Sequence, residues 1–178
     1  MGVEPTKPLV FLTVGTDHHP FDRVVRWLDA WLEAGARDRV RGLVQHGASP
    51  PSSLVPSREF LTYDEMEEAI RDAAVIVSHA GPGTIMMAAE AGKVPLVVPR
   101  VKALGEHVDD HQVLFAQRLR EERTIALADN ERTFRQFIER AVNNPFALPQ
   151  RAESPTAEAV RRFEEVVDEL MGVSRATA

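Results

Sequence analysis

The segment of residues 75–91 joins an apolar run, a glycine-rich loop and a helix-forming run without any linker between them. The β-branched run 75–77 predicts a buried strand, and the loop 78–83 allows the backbone to turn sharply. A helix is predicted to follow at once, from Thr84 to Ala91. Because the first turn of a helix has unpaired N–H groups and the positive end of the helix dipole, this segment predicts an anion site, most often for phosphate.

Apolar runs and helical periodicities alternate along the rest of the chain. Strands are predicted at 9–14, 40–44, 59–61, 75–77, 95–98 and 124–127, and helices at 20–35, 62–73, 84–91, 108–119, 131–143 and 154–171. Thr62 and Glu65 have capping-box spacing. In the helix 108–119, the predicted apolar side carries Val113, Leu114 and Leu119. The alternation predicts one α/β Rossmann-like domain over residues 1–178, a parallel sheet with helices on both faces and a core at 9–143.

Composition excludes several classes of protein. A net charge of −6 argues against binding to a nucleic-acid backbone, which requires a basic face. The absence of cysteine removes thiolate metal sites and disulfides and fits a cytoplasmic protein. No apolar run has the length of a signal peptide core or of a membrane span, so we expect a soluble domain.

Polar chemistry is concentrated after the predicted strands. All the histidines fall in or just after loops that follow a strand, namely His18, His19, His46, His79, His107 and His111. Loops at the carboxyl ends of parallel strands bind ligands in such sheets, although histidines also favour loops for no functional reason. Imidazoles with Asp109 and Asp110 would suit zinc, but no HxH spacing is present, so we predict no metal site.

Three motifs together carry a resemblance to a known family. They are S-H-A-G-P-G-T-x(5)-E-A-G-x-x-P-L-V-V-P-R, then E-H-x-D-D-H-Q-x-x-x-A, and L-T-V-G-T near the start. This pattern resembles the C-terminal, donor-binding half of the family-28 glycosyltransferases, which have the GT-B fold. Within that family it is most similar to the short catalytic subunit of the two-part UDP-GlcNAc transferase of dolichol-linked oligosaccharide synthesis and its bacterial exopolysaccharide counterparts.

The resemblance implies roles for particular residues. Gly81, Gly83 and Thr84 would bind the donor diphosphate at the start of the helix, and Gly15 and Thr16 would face the same phosphates. The bland alternative for the Gly81 loop is a tight turn without a ligand.

The rest of the donor would be bound by residues further along the same motifs. Glu90 matches a ribose-binding carboxylate, and Phe60 and Leu61 match the step where uracil packs. Glu90 is otherwise a solvated helix residue, and Phe60 and Leu61 are otherwise core.

The donor sugar would be bound by Asp110, His111 and Gln112. Phe115 stands where the single-chain peptidoglycan relative has an asparagine, so the resemblance does not identify the sugar.

The implied function is transfer of a hexose-type unit, such as GlcNAc, from a UDP-sugar to a lipid-linked acceptor with inversion and without a cofactor. In single-chain relatives the general base lies in the acceptor-binding half, so we expect a separate membrane-associated subunit to supply acceptor binding and to recruit the chain to the cytoplasmic face of the membrane. His18 and His19 are candidates for a local base.

We expect the helix 154–171 to pack against the core, with a position facing the partner subunit as the alternative. Two other classes remain open: a non-catalytic sugar-nucleotide-binding module of a polysaccharide assembly complex, and a nucleotide-sugar epimerase, which needs two halves in one chain.

Overall fold

The computed structural model describes residues 7–144. In that range the strands are β1 (Leu9–Thr13), β2 (Arg41–Gln45), β3 (Ser57–Arg58), β4 (Ala73–Ser78), β5 (Leu96–Val97) and β6 (Ala126–Leu127). The helices are α1 (Asp22–Trp31), α2 (Tyr63–Asp72), α3 (Pro82–Glu90), α4 (His111–Glu121) and α5 (Glu131–Asn143), with a π-helical turn at Leu32–Ala36 and a 3-10 turn at Lys102–Leu104.

The strands form one parallel sheet in the order β3-β2-β1-β4-β5-β6. This is the strand order of Rossmann folds, in which the chain direction across the sheet reverses between β1 and β4. The loops that leave the carboxyl ends of β1 and β4 therefore diverge and open a crevice between them. The fold class expected from the sequence is confirmed.

Helices cover both faces of the sheet. On one face α1 and α5 pack on the largest apolar cluster, which includes Leu28 and Phe134. On the other face α2 and α3 pack around Phe11 and Ile76, while Phe115 of α4 packs with Ile85 of α3. Because both faces are covered, the central strands β1 and β4 are almost continuously apolar.

The predicted capping box is present, and α5 has a side-chain cap as well. Thr62 accepts a hydrogen bond from the Glu65 N–H, and the Glu65 carboxylate accepts one from the Thr62 N–H, which completes the capping box. Asn130 caps α5 by accepting from the Thr133 N–H. In both helices, side chains therefore accept hydrogen bonds from backbone N–H groups of the first turn, which would otherwise be unpaired.

The third strand lies earlier than the sequence predicts. Ser57 and Arg58 pair with the end of β2, whereas Phe60 and Leu61 follow the paired residues. Gln45 is the physical reason, because its side-chain oxygen accepts a hydrogen bond from the Leu61 N–H and so replaces a strand partner. The prediction of a strand at 59–61 is wrong by two residues.

The start and the apolar side of α4 also differ from the prediction. α4 begins at His111 instead of 108, because the Asp110 side chain accepts from the Lys102 N–H and closes the preceding loop on itself. The buried side carries Phe115, Ala116 and Leu119, whereas Leu114 is 56% exposed. The prediction that Leu114 lies on the apolar side is therefore wrong.

The C-terminal helix predicted at 154–171 lies outside the described residues. None of the helices within residues 7–144 is long and apolar enough to cross a membrane.

Candidate functional site

A cavity of about 440 Å³ opens at the carboxyl edge of the sheet, where β1 and β4 diverge. Its lining comes from the loops after β1 and β4, the loop after β5 and the start of α4. The residues that line it are Thr16, Asp17, His79, Ala80, Gly81, Pro82, His107, Asp109, His111, Gln112 and Phe115. Chain segments that are far apart in sequence therefore share one cavity.

The N-terminus of α3 borders this cavity without a side-chain cap. Gly81 is the N-cap residue and has no side chain, and Pro82 at the first helical position has no N–H. The first turn also carries no acidic residue. The positive end of the helix dipole and the N–H groups of Gly83 and Thr84 are therefore not neutralised by the helix itself.

The His79 ring lies between the two loop glycines. A Cβ atom on Gly15 would lie 2.4 Å from His79 Cε1, and one on Gly81 would lie 2.1 Å from His79 Nε2. Gly15 in addition has a φ of +78°, which L side chains rarely adopt. Glycine at both positions is thus required by the close packing around the imidazole.

His79 is uncharged near neutral pH. Burial lowers the pKa of its imidazole to about 4, and repulsion from the Arg100 guanidinium acts in the same direction. Its Nδ1 is buried and has no hydrogen-bond partner among the described residues. The ring therefore adds no positive charge to the cavity that it lines near neutral pH.

The Arg100 side chain links the loops after β1 and β5 through hydrogen bonds. Its side chain is fully buried, and it donates to the carbonyls of Val14, His19 and Glu106 at 2.8, 2.6 and 3.0 Å. The guanidinium carbon also lies 4.9 Å from the centre of the Phe21 ring. Burial lowers the pKa of Arg100, although attraction to Asp17 and Glu106 opposes that shift.

A second arginine fixes the loop after β5. Arg23 of α1 donates to both carboxylate oxygens of Glu106 at 2.8 Å and to the Pro99 carbonyl at 2.9 Å. The same Glu106 carboxylate accepts from the Val101 N–H. Because this bidentate pair is largely buried, it anchors the loop after β5 to α1.

Alternating imidazoles and carboxylates form a chain of contacts at the cavity, which all of them except His19 line. Nδ1 of His19 lies 2.7 Å from Asp17 Oδ1, and Nε2 of His107 lies 3.6 Å from Asp17 Oδ2. Asp109 in turn lies 3.2 Å from Nδ1 of His107 and 2.8 Å from Nδ1 of His111. We call these five residues the His–Asp row.

The carboxylates of the row are poised to be charged. Burial raises the pKa of Asp17, but hydrogen bonds from His19 and attraction to Arg100 outweigh it, so the net shift is downward. The pKa of Asp109 is lowered chiefly by the backbone hydrogen bond from His111. Both carboxylates therefore remain anionic at neutral pH.

Sequence comparison identifies the family. Residues 9–170 match the model of the Glycosyltransferase family 28 C-terminal domain. The chain belongs to this family. A search of curated protein sequences gave no significant match.

Solved structures with the same fold include glycosyltransferases and an epimerase. The calicheamicin glycosyltransferase CalG4 is 16% identical with a TM-score of 0.56 over 94% of this chain and 39% of its own. The spinosyn forosaminyltransferase SpnP is 20% identical with a TM-score of 0.53 over 97% and 41%. A putative UDP-N-acetylglucosamine 2-epimerase from Listeria monocytogenes is 12% identical with a TM-score of 0.62 over 95% and 46%. This family 28 domain therefore spans less than half the length of each of these proteins.

Several residues predicted from the sequence meet at the cavity. Thr16, Gly81, His111 and Gln112 line it directly. The amide oxygen of Gln112 also accepts from the Arg100 N–H at 3.2 Å, which joins α4 to the end of β5.

Other predicted residues lie beside the cavity and not in its lining. Gly15 packs on His79, Gly83 and Thr84 belong to the first turn of α3, and Asp110 is bonded to the Lys102 N–H.

The predicted nucleoside-binding residues lie elsewhere. Glu90, at the end of α3, is exposed and borders a separate groove of about 200 Å³ that Tyr63 and Met87 also line. Phe60 is 52% exposed, while Leu61 packs against the α2 side of the core. The structure does not bring Glu90 or Phe60 to the cavity around Gly81.

Sequence reasoning assigned no role to four residues that shape this site. Asp17, His79 and His107 each follow a strand, so their position was the available signal. Arg100 ends the first motif of the family resemblance, but its role was not apparent from that motif, because a fully buried arginine that donates to three carbonyls has no local pattern.

Proposed function

We propose that this family 28 domain binds a UDP-sugar and transfers its hexose-type unit, such as GlcNAc, to a lipid-linked acceptor together with a separate acceptor-binding subunit. The observation that carries the proposal is the uncapped N-terminus of α3 at the cavity between β1 and β4. This is the position in a Rossmann-like sheet where a pyrophosphate binds. Membership of the family supports transfer as the reaction.

The donor diphosphate would lie over the first turn of α3. N–H groups of Gly83 and Thr84 would donate to its oxygens, and Thr16 lines the same cavity. His111 and Gln112, which line the same cavity, would contact the donor sugar. Negative charge grows on the leaving diphosphate in the transition state. The positive end of α3 would stabilise this charge and so lower the activation free energy of transfer.

The reaction breaks the bond between the anomeric carbon and the diphosphate oxygen, and UDP leaves with the bonding electrons. The acceptor hydroxyl oxygen forms the new bond on the opposite face of the sugar, which inverts the anomeric carbon. The hydroxyl proton passes to a general base. The family resemblance implies that this base belongs to the acceptor-binding half, with His18 and His19 as local candidates.

Binding of the nucleoside by Glu90 imposes a length requirement. Glu90 lies about 12 Å from Pro82 along the axis of α3, at the rise of an α-helix. The ribose would reach it only if the nucleotide extends along α3 into the groove with Tyr63. Glu90→Gln tests this assignment, because it should weaken UDP binding. Glu67→Gln is its matched control, since Glu67 is a second carboxylate on that groove and should leave UDP binding unchanged.

The experiment that tests the function has two steps. Calorimetric titration of UDP into the full chain, in a chelator, measures donor binding. Turnover of UDP-GlcNAc and other UDP-sugars is then assayed with and without the product of a neighbouring reading frame that encodes a membrane-anchored acceptor-type domain. We expect UDP binding by this chain alone and turnover only with the partner.

The second candidate is a non-catalytic sugar-nucleotide-binding module of a polysaccharide assembly complex. The observation that favours this candidate is that the chain spans less than half of the length of the glycosyltransferase structures it resembles. Tight UDP binding without turnover in any combination of donor, partner and lipid acceptor would favour this module. Absence of UDP binding would contradict both candidate functions.

A further inference from the structure

His111 and Gln112 line the cavity, and each has one polar atom whose role is fixed by a neighbouring group. A carboxylate can only accept, so His111 Nδ1, which lies 2.8 Å from Asp109 Oδ2, must carry the ring proton. A backbone N–H can only donate, so the Gln112 atom 3.2 Å from the Arg100 nitrogen must be the amide oxygen. His111 Nε2 and the Gln112 NH₂ group are left without a hydrogen-bond partner among residues 7–144.

We propose that Asp109 is a positioning residue that keeps the proton of His111 on Nδ1, so that His111 Nε2 accepts from a hydroxyl of the donor sugar while the Gln112 NH₂ group donates to one. In a neutral imidazole with the proton on Nδ1, Nε2 is a hydrogen-bond acceptor. A hydroxyl both donates and accepts, so it suits both groups. The inference rests on the proposed function, in which the donor sugar lies in this cavity.

The His111 ring needs an anchor, because its side chain is 66% exposed. Asp109 contacts both parts of this residue, since its Oδ1 accepts from the His111 N–H at 3.0 Å and its Oδ2 lies beside the ring. The hydrogen bonds from His111, the backbone one above all, lower the pKa of Asp109. A carboxylate that stays charged at neutral pH therefore fixes the orientation and the tautomer of the ring.

The chain on both sides of Asp109 is anchored to its surroundings. Nδ1 of His107 accepts from the Asp109 N–H at 3.4 Å, and the Asp110 side chain accepts from a backbone N–H of the same loop. Glu106 forms the bidentate pair with Arg23. The Asp109 carboxylate is therefore held in place before any ligand binds, as a positioning residue requires.

The Gln112 amide is oriented from the other direction. Its partner, the Arg100 N–H, belongs to a residue whose guanidinium is fully buried and donates to three carbonyls. The amide oxygen is therefore occupied, and the NH₂ group remains available to a ligand in the cavity.

The pair predicts which donors the site accepts. A hexose with a hydroxyl at this point satisfies both free groups, whereas an analogue without that hydroxyl leaves them unpaired. Sites built to bind a hydroxyl discriminate strongly against such analogues. The proposed substrate class is therefore a UDP-sugar with free hydroxyls on the part of the ring that faces His111 and Gln112.

The first test determines the tautomer of His111. Nitrogen-15 NMR of the full chain, at a pH at which the imidazoles are neutral, distinguishes Nδ1–H from Nε2–H, and His111→Gln assigns the signals. We expect Nδ1–H in the wild type. In Asp109→Asn the amide oxygen can still accept from the His111 N–H, but the NH₂ group can donate to Nδ1. The ring proton should then move to Nε2, as the same replacement presents the wrong tautomer in serine-protease triads.

The second test is calorimetric titration of UDP and of UDP-GlcNAc, UDP-glucose and UDP-galactose into the same proteins. The ratio of the Kd of a UDP-sugar to the Kd of UDP separates the sugar contact from effects of charge on the diphosphate. Asp109→Asn and His111→Gln should each raise this ratio about 3-fold to 10-fold, as loss of one hydrogen bond does. The double variant should raise it no further than His111→Gln alone, because Asp109 acts through His111.

Two further variants serve as controls. Asp38→Asn removes an exposed carboxylate that precedes β2, at the opposite edge of the sheet from the cavity, and should change neither the NMR signals nor the ratio. Asp109→Ser keeps an oxygen for the His111 N–H but is too short to reach the ring, so it should raise the ratio as Asp109→Asn does. Circular dichroism and thermal unfolding check that each variant folds.

Three outcomes would overturn the inference. They are a wild-type His111 with its proton on Nε2, a ratio in Asp109→Asn equal to that of the wild type, and an effect of Asp109→Asn that persists in the His111→Gln background. Failure of the proposed function looks different, because the wild type would then bind no UDP at all. That result refutes the donor assignment, and this sugar contact with it, whereas the three outcomes above leave UDP binding intact.

Discussion

The N-termini of α2 and α3 both lie at the carboxyl edge of the sheet, but only α2 has a side-chain cap. α2 closes its first turn with its own capping box and has Asp64 and Glu65 there as well. α3 begins at Gly81 and Pro82, with neither a capping side chain nor an acidic residue in its first turn. The positive dipole end is neutralised within the chain in one helix and left for an external anion in the other.

Of these two helices, only α3 has first-turn N–H groups that no side chain of its own caps. At α2 the side chains of Thr62 and Glu65 stabilise the helix, and their hydrogen bonds lower the pKa of Glu65. At α3 the same stabilisation is absent, and the glycines that replace it pack on His79. A ligand that binds the α3 start would supply the missing interactions.

The largest expected effect comes from Gly81→Ala. The new methyl group would overlap the His79 ring, which Gly15 confines on its other side, so we expect a loss of about 3 kcal/mol in unfolding free energy. UDP binding should fall with it. Urea unfolding and calorimetry measure the two effects, and a variant as stable as the wild type would mean that the His79 ring can move.

Acid should weaken the protein through His79, beneath the start of α3. Its pKa is 6.5 in the unfolded chain and about 4 in the folded one, so the unfolded state binds more protons below pH 6.5. Stability should fall by about 2 kcal/mol from pH 7 to pH 5 and level off below pH 4. Urea unfolding across this range should show a smaller loss in His79→Gln; an equal loss would assign the effect to other groups.

Removing the cap of α2 should have a smaller effect and leave the ligand unaffected. Thr62→Ala deletes the acceptor for the Glu65 N–H, which typically costs about 1 kcal/mol. UDP affinity should not change, because α2 already neutralises its own first turn. Thermal unfolding and UDP titration of the same sample check both points, and weaker UDP binding would contradict the division of roles between α2 and α3.

The smallest stability effect, and the sharpest test of the ligand position, is Gly83→Ala. A Cβ at this position meets no atom within 4 Å, and alanine favours a helix over glycine by about 0.5 to 1 kcal/mol. The variant should therefore be slightly more stable. If the diphosphate approaches the first turn of α3, the added methyl group should nevertheless weaken UDP binding. Unchanged UDP affinity would place the diphosphate elsewhere.

The local features of the chain were largely predictable. The capping box at Thr62, the cap at Asn130 and the strand, loop and helix around Gly81 depend on neighbouring residues, so the sequence contains the necessary information. The third strand was misplaced because the Gln45 side chain, distant in sequence, takes the N–H of Leu61. Long-range hydrogen bonds of this kind leave no periodic pattern.

The site was predictable only in part. His111 and Gln112 line the cavity, whereas Glu90 borders a different groove. The proximity of His107 to Asp17 was not predictable, because the two loops belong to strands separated by β4 in the sheet.

The sequence by itself determined the alternation of strands and helices, their caps and the gathering of polar residues after the strands, because each of these follows from short-range periodicity and backbone preference. Only the tertiary structure decided which loops meet. The strand order brings the β1 and β4 loops to one crevice, and the buried Arg100 fixes the loops after β1 and β5 beside each other. The pattern of apolar residues along a chain indicates how deeply each strand is buried, but it does not indicate which strands lie beside it in the sheet.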